Sequence, residues 1–365
     1  MRRLLLGLGI LWLSGGCSSS QGNGYMSGGE PGTKAAPPQP ASSSGSGSEA
    51  DSGASRVTDA GIDGGTESGP SSGADGGTVP PASPEVQGGT YDRTYTSSGD
   101  GPTGGTDPAT VSSFRLDQYE VTVGRFRQFV DAWAGGAGYT PPAGSGKHTH
   151  LHGGQGLSNS GGDAGAVYET GWVASDDHNI APTDANLACA SELATWTTVA
   201  GSGESLPINC VNWWESFAFC IWDGGFLPSE SEWEYAAAGG SEERGYPWGA
   251  TDPGTSNQYA IYDCDYPSGS GGCTGGAAPV GTATLGAGLW GQLDLAGNVN
   301  EWNADWFASY AAPCTDCADL TAASFRVIRG GYFANDPSYL LAPGRSDDPP
   351  TARSVCLGLR CARAP

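Results

Sequence analysis

Cysteine and histidine are the side chains in this sequence best suited to metal, redox or acid–base chemistry, and the chain of 365 residues carries ten and four of them. Three histidines alternate in His148-Thr149-His150-Leu151-His152. On an extended backbone they would project to one side, and imidazole is a common transition-metal ligand. Gly146 and Gly153-Gly154 bound the stretch, with no carboxylate or cysteine beside it to complete a site. We therefore read a solvated loop, with a metal site as the competing reading. Cys314-Thr315-Asp316-Cys317 has the spacing of a redox or zinc pair. No second pair of that spacing exists, so a structural bridge is the preferred reading and the redox or zinc motif the alternative. Ten cysteines in an exported chain argue for disulfides. Sequence proximity pairs Cys189 with Cys210, Cys264 with Cys273, and Cys314 with Cys317.

Three helices have clear start signals. Thr122 can cap a helix running to Trp133, with Val123, Phe126, Phe129, Val130 and Trp133 along one face, expected to pack on a sheet. The preceding Phe114–Val121 reads as a strand. Asn212 with Glu215 forms a capping box for a second helix, whose stripe is Trp214, Phe217, Ala218 and Ile221 and whose end is Gly224. Ser229 with Glu232 forms another, with Trp233, Ala236 and Ala237 as the apolar face and Gly239-Gly240 as the stop. Between the first two helices, residues 134–206 are glycine-rich and without periodicity.

Ahead of these elements the composition changes. Residues 1–17 read as a lipoprotein-type signal: Arg2-Arg3, an apolar run Leu4–Leu13 too short to span a bilayer, then small residues before Cys17, the lipidation site. An ordinary secreted protein cleaved nearby is the alternative. Residues 18–84 are a Gly/Ser/Ala/Pro tether that cannot bury enough apolar surface to fold, with a reach of roughly 45–50 Å as a flexible coil. Eleven of the twelve tryptophans lie in residues 85–365, which can bury one large core. The formal charge of −23 becomes −25 once Arg2 and Arg3 leave with the signal. Such acidity argues against nucleic acid and leaves the lipid anchor as the only expected membrane contact. The implied location is the cell envelope, at the outer membrane or cell surface, or otherwise secreted or periplasmic.

Four ordered stretches then carry a resemblance: Leu227–Gly240 (LPSESEWEYAAAGG) with Tyr246–Gly249 (YPWG), Asp294–Trp302 (DLAGNVNEW), Arg326–Gly331 (RVIRGG) and Leu357–Arg363 (LGLRCAR). Together they resemble the formylglycine-generating enzyme, or sulfatase-modifying factor, family, and Gly88–Tyr91 resembles its opening strand. The resemblance implies a mixed α/β fold, low in regular structure and related to C-type lectin domains. It implies a Cys220–Cys361 disulfide, which with the pairs above leaves Cys356 unpaired. It also implies a calcium site from the Asp294 and Glu301 carboxylates with the Gly297 and Val299 carbonyls, the oxygen ligands a hard cation takes. A turn whose carboxylates bond backbone N–H groups is the alternative. The family's other calcium site departs at Ala260, where an asparagine is expected.

The family's enzymes bind copper(I) through two cysteines after the RGG motif, because soft thiolates hold that ion. Aligned on Arg329-Gly330-Gly331, those positions are Asn335 and Leu340, and no cysteine occurs between Cys317 and Cys356. Copper is therefore not expected. Tyr332 stands where the family has serine, and Asn300 where it has tryptophan. Three functions follow: a non-catalytic domain binding a protein or glycan ligand or acting as a scaffold, which we prefer; a formylglycine-generating oxidase acting on a sulfatase cysteine; or a different metalloenzyme using His148, His150 and His152.

Overall fold

A computed structural model describes residues 82–98, 101–135, 138–160, 165–267 and 275–365. Of the chain's two units, one (Asn23–Asp75) falls wholly outside these residues. Cys17, the expected signal and nearly all of the expected tether lie outside them as well.

In chain order the elements begin with β1 (Glu85–Val86), β2 (Gly89–Ser98), β3 (Gly101–Val111) and β4 (Phe114–Leu116). The helices α1 (Val123–Ala134), α2 (Asp184–Ala188), α3 (Trp213–Trp222) and α4 (Glu230–Ala238) follow. The C-terminal part supplies β5 (Asn300–Trp306), β6 (Cys314–Thr315), β7 (Arg326–Arg329), β8 (Ser346–Asp348), β9 (Leu357–Gly358) and β10 (Ala362–Arg363). They form three small sheets, ordered β1-β4-β10, β2-β3-β6 and β8-β7-β5-β9. The first joins residues near both ends of the domain: β4 pairs antiparallel with β1 and with β10. In the third, β5 runs antiparallel to β7 and parallel to β9. This is the mixed α/β class with sparse regular structure that was expected. Backbone bonding to the domain already begins at Ala82, whose carbonyl accepts from Gln118 N at 2.9 Å.

The helix ends form as their sequences direct. Thr122 accepts from Arg125 N, and both capping boxes close, Asn212 with Glu215 and Ser229 with Glu232. Gly239, at φ +67°, provides the left-handed residue that ends α4. Three expectations need correction. The strand expected over Phe114–Val121 stops at Leu116, where the chain turns into the α1 cap. The helix α1 meets α3 rather than lying on a sheet, and its Phe126 ring stacks on Phe219 at 5.4 Å. The helix α4 is not amphipathic in its surroundings: all nine residues are buried, three glutamates among them.

Candidate functional site

Burying three glutamates on one helix requires partners, since an unpaired buried charge is strongly unfavourable. Arg329, at the end of β7, donates through Nε to Glu230 Oε1 at 3.0 Å and through Nη2 to Glu234 Oε2 at 2.5 Å. Arg345 adds a two-pronged contact to Glu230, 2.6 Å at each oxygen. Burial pushes up the Glu230 carboxyl, but Arg345 and Arg329 outweigh it and hold it below the usual range. Glu234 shares Arg329 with Glu230, so there burial wins and the carboxyl rises to about 7. Glu232 has a different partner. His148 is buried between Glu169, 3.1 Å from Nδ1, and Glu232, 3.1 Å from Nε2. Burial alone would lower this imidazole, yet Glu232 and Glu169 carry it up to about 10.

The three histidines therefore do not converge. His148 is an internal cation pinning the irregular region to α4. His150 stacks on Phe226 at 5.6 Å, and burial lowers its pKa. His152 bonds Gly156 O through Nδ1 at 2.8 Å. The carboxylate missing from the local sequence arrives from 21 and 84 positions away, which no local pattern announces. Among the described residues the one cluster of three potential metal ligands is Asp117, Asp223 and Cys361. Arg125 and Arg363 pair with both aspartates and Cys361 is in a disulfide, so this cluster is already satisfied.

Arg329 also sets the loop that follows it, donating through Nη1 to Ala342 O and Gly344 O. Gly331, at φ +74°, must be glycine, because a Cβ there would lie 2.9 Å from Tyr339 O. The next turn closes on itself: Tyr332 N donates to Asn335 Oδ1 at 3.0 Å and Asn335 N to Tyr332 O at 2.9 Å. Asn335 is thus a turn residue. Leu340 ends a short 3-10 turn capped by Asp336 and is buried with Ala260, Tyr262 and Ala296. Phe333 is buried in another apolar cluster, so Tyr332, Phe333 and Tyr339 do not form an exposed aromatic platform.

The Asp294–Trp302 loop gathers buried acid. Asp294 Oδ2 accepts from Gly281 N at 2.6 Å, and burial raises this carboxyl to about 6. Glu120, absent from the sequence reading, accepts from Val299 N and Asn298 Nδ2. Glu301 accepts from Arg360 through both oxygens, at 2.7 Å each, and from Trp233 Nε1 at 2.6 Å. In charge the set suits a hard cation. In ligands it is incomplete: Asp294 already accepts from Gly281 N, and Glu301 is committed to a guanidinium.

Disulfides join Cys189 to Cys210, Cys220 to Cys361 and Cys314 to Cys317. The expected partner of Cys264, Cys273, lies outside the described residues. Cys264 and Cys356 are disulfide-bonded too. This corrects the expectation of an unpaired Cys356, which followed from reserving Cys17 for lipid and so leaving an odd number of cysteines.

Fold and site together define a mixed α/β domain of irregular loops organised around one buried, charge-locked helix. The description "Sulfatase-modifying factor enzyme 1-like domain" matches residues 77–365, and the chain belongs to that family. A formylglycine-generating enzyme of Thermomonospora curvata is 29% identical over 306 residues, covering 76% of this chain and 90% of that protein. An inactive Cα-formylglycine-generating enzyme 2 of Bos taurus is 34% identical over 47% of this chain and 56% of its own length. A hercynine oxygenase of Mycolicibacterium smegmatis is 27% identical over 69% of this chain and 53% of its own. The chain thus spans nearly all of the first relative and about half of the other two. Among solved structures, PvdO from Pseudomonas aeruginosa superposes with a TM-score of 0.48 at 18% identity, over 77% of this chain and 93% of that one.

Proposed function

We propose that this chain is a non-catalytic member of its family, a ligand-binding or scaffold domain carried on a lipid tether at the cell envelope. The observation that carries the reading is the state of the two positions assigned to copper. Asn335 offers a hard amide oxygen that already closes its own turn, and Leu340 offers no donor and fills an apolar cluster. The described cysteines are all disulfide-bonded, so no described thiol replaces the pair. A relative named as inactive, at 34% identity, shows that the family's range of names extends to such members. The ligand class we favour is a protein or a glycan, with nucleic acid disfavoured by charge.

The test is direct. The purified protein is incubated with copper(I), reductant, oxygen and a cysteine peptide carrying a sulfatase recognition motif, and the peptide is weighed by mass spectrometry. No mass change is expected. Conversion of the cysteine to formylglycine would overturn the reading and favour the oxidase. Mass analysis of the mature N-terminus addresses the anchor, for which a lipidated Cys17 is expected and a free amino terminus at any other residue excludes it.

Calcium belongs to the same reading as a weak structural ligand. The surplus of buried carboxylate around Asp294 supports it, while the Glu301–Arg360 pair opposes it. A dissociation constant of roughly 0.1–1 mM is expected, in the range of extracellular sites. At ten times that concentration the ion would stabilise the fold by about 1.4 kcal/mol. Chelation should lower Tm by the corresponding amount, and Asp294→Asn should remove the effect. An identical melting curve with and without chelator rules out the site.

A further inference from the structure

The disulfide between Cys314 and Cys317 lies in surroundings that a purely structural bridge does not require. Its two cysteines sit at β6 and just beyond, with Cys314 about 5% exposed and Cys317 about 1%. Arg93, on β2, is itself buried and aims Nη1 at Cys317 Sγ from 3.8 Å. The other contacts of that guanidinium are backbone carbonyls, Asp107 O at 2.9 Å and Ala311 O at 2.6 Å, and it lies over the Tyr310 ring at 4.3 Å. Among the described residues it forms no ion pair, whereas Arg329 and Arg345 beside it are both paired with glutamates. Glu230, which acts on Arg93 electrostatically, is already held by Arg329 and Arg345, so the Arg93 charge is incompletely matched by direct contact and a nearby anion would improve the match.

The neighbour that can supply the charge is sulfur. Ser231, in the first turn of α4, places its hydroxyl 3.6 Å from Cys314 Sγ and 3.9 Å from Cys317 Sγ. A hydroxyl can donate to a thiolate, and a cation within contact range lowers a thiol's pKa. Cys317 lines a water-sized polar cavity together with Arg93, Glu230, Asp305, Asp319 and Arg345, under residues 308–311, and Cys314 does not, so Cys317 is the sulfur this cavity leads to. The bridge also closes a sequence separation of only 3, against 141 for Cys220–Cys361, so it restrains the unfolded chain least.

We propose that Cys314–Cys317 is a redox-active disulfide whose reduced form is stabilised by Arg93, and that its reaction partner is a dithiol. The incoming thiolate attacks Cys317 Sγ, the S–S bond breaks, and Cys314 leaves as a thiolate beside the Ser231 hydroxyl. The partner's second thiol loses its proton to Cys314 and attacks its own sulfur in the mixed disulfide, releasing Cys317 as a thiolate held by the Arg93 guanidinium. The partner ends as a disulfide and this protein as a dithiol, a transfer of two electrons. Stabilising the leaving thiolate makes the bridge easier to reduce than the other bridges of the same chain.

The experiment uses the folded full chain equilibrated with graded dithiothreitol, quenched with acid, alkylated and peptide-mapped. Cys314 and Cys317 should become alkylated at reductant concentrations at least tenfold below those needed for Cys220 and Cys361. Release of all bridges together, or only on unfolding, overturns the proposal. Arg93→Gln should raise the reductant needed for half-reduction about tenfold, while Arg93→Lys, which keeps the charge, should stay within about threefold of wild type. If the glutamine variant does not fold, the pH profile of maleimide alkylation of the selectively reduced wild type decides. A Cys317 midpoint below the ordinary thiol value of about 8.5 supports the proposal, and one at or above it overturns it.

Discussion

At the scale of single residues, two side chains carry more of the fold than their types suggest. His148 is a buried imidazolium between two glutamates, and removing it would strand both charges. We expect His148→Ala to cost about 3–5 kcal/mol in urea unfolding, the range for breaking a buried ion pair from one side. An exposed loop histidine, the reading its neighbours in sequence invite, would cost next to nothing. Leu340 makes the complementary case. A side chain facing an open pocket could be truncated cheaply, whereas Leu340 packs with Ala260, Tyr262 and Ala296. Leu340→Ala should therefore destabilise by about 2–5 kcal/mol, read from the same unfolding curves. For the same reason Asn335→Cys with Leu340→Cys should not confer oxidase activity: the second thiol would point into an apolar cluster, and half-buried Tyr332 stays where the family has a small hydroxyl residue.

At the scale of elements, α4 shows what sequence conveys and what it does not. Its caps were legible because capping is local: Ser229 and Glu232 satisfy each other's backbone groups within one turn. Its surroundings were not, because Arg329, Arg345 and His148 come from 84 to 115 residues away and no periodicity records them. This burial has a consequence in pH. Burial lifts Glu234 and Asp305 to about 7, the first shared with Glu230 on Arg329, the second beside Glu230 and bonded by Glu230 N and Asp319 N. An acid whose folded pKa is raised contributes stability below its unfolded value, and that contribution is lost as pH rises through the folded value. His148, raised to about 10, acts in the same direction: its contribution is complete below about 6.5 and declines above. Glu230 and Glu232 are lowered, so their contribution falls away only when the medium becomes more acidic than about 4.5. Stability should thus peak near pH 5 and fall toward pH 8. Tm measured across that interval at constant ionic strength checks this, and a Tm that rises from pH 5 to pH 8 contradicts it.

At the scale of the whole molecule, the order of four short motifs was enough to read the family, because each marks a place where backbone geometry or buried charge tolerates little change. Gly331 under Tyr339, Glu301 on Arg360 and the α4 caps are of this kind. The long irregular region between α1 and α3 was not legible, since glycine-rich loops find their conformation through distant contacts. What closes the molecule is its last strand. β10 pairs with β4, Arg360 holds Glu301, Arg363 pairs with Asp117 and Asp223, and Cys361 is bonded to Cys220 across a separation of 141 residues. The polar and strand contacts persist without the disulfide, so removing it tests chain entropy in near isolation. For a loop of that length the entropy model gives about 5 kcal/mol, with native strain as the usual reason for a smaller value. Cys220→Ala with Cys361→Ala should therefore fold, show a denaturant slope equal to or steeper than wild type because the unfolded chain is less confined, and lose up to about 5 kcal/mol in urea. A loss below about 1 kcal/mol, in a variant whose near-ultraviolet circular dichroism is unchanged, would mean that residual structure in the unfolded chain already keeps the two segments close, leaving the bridge little entropy to remove.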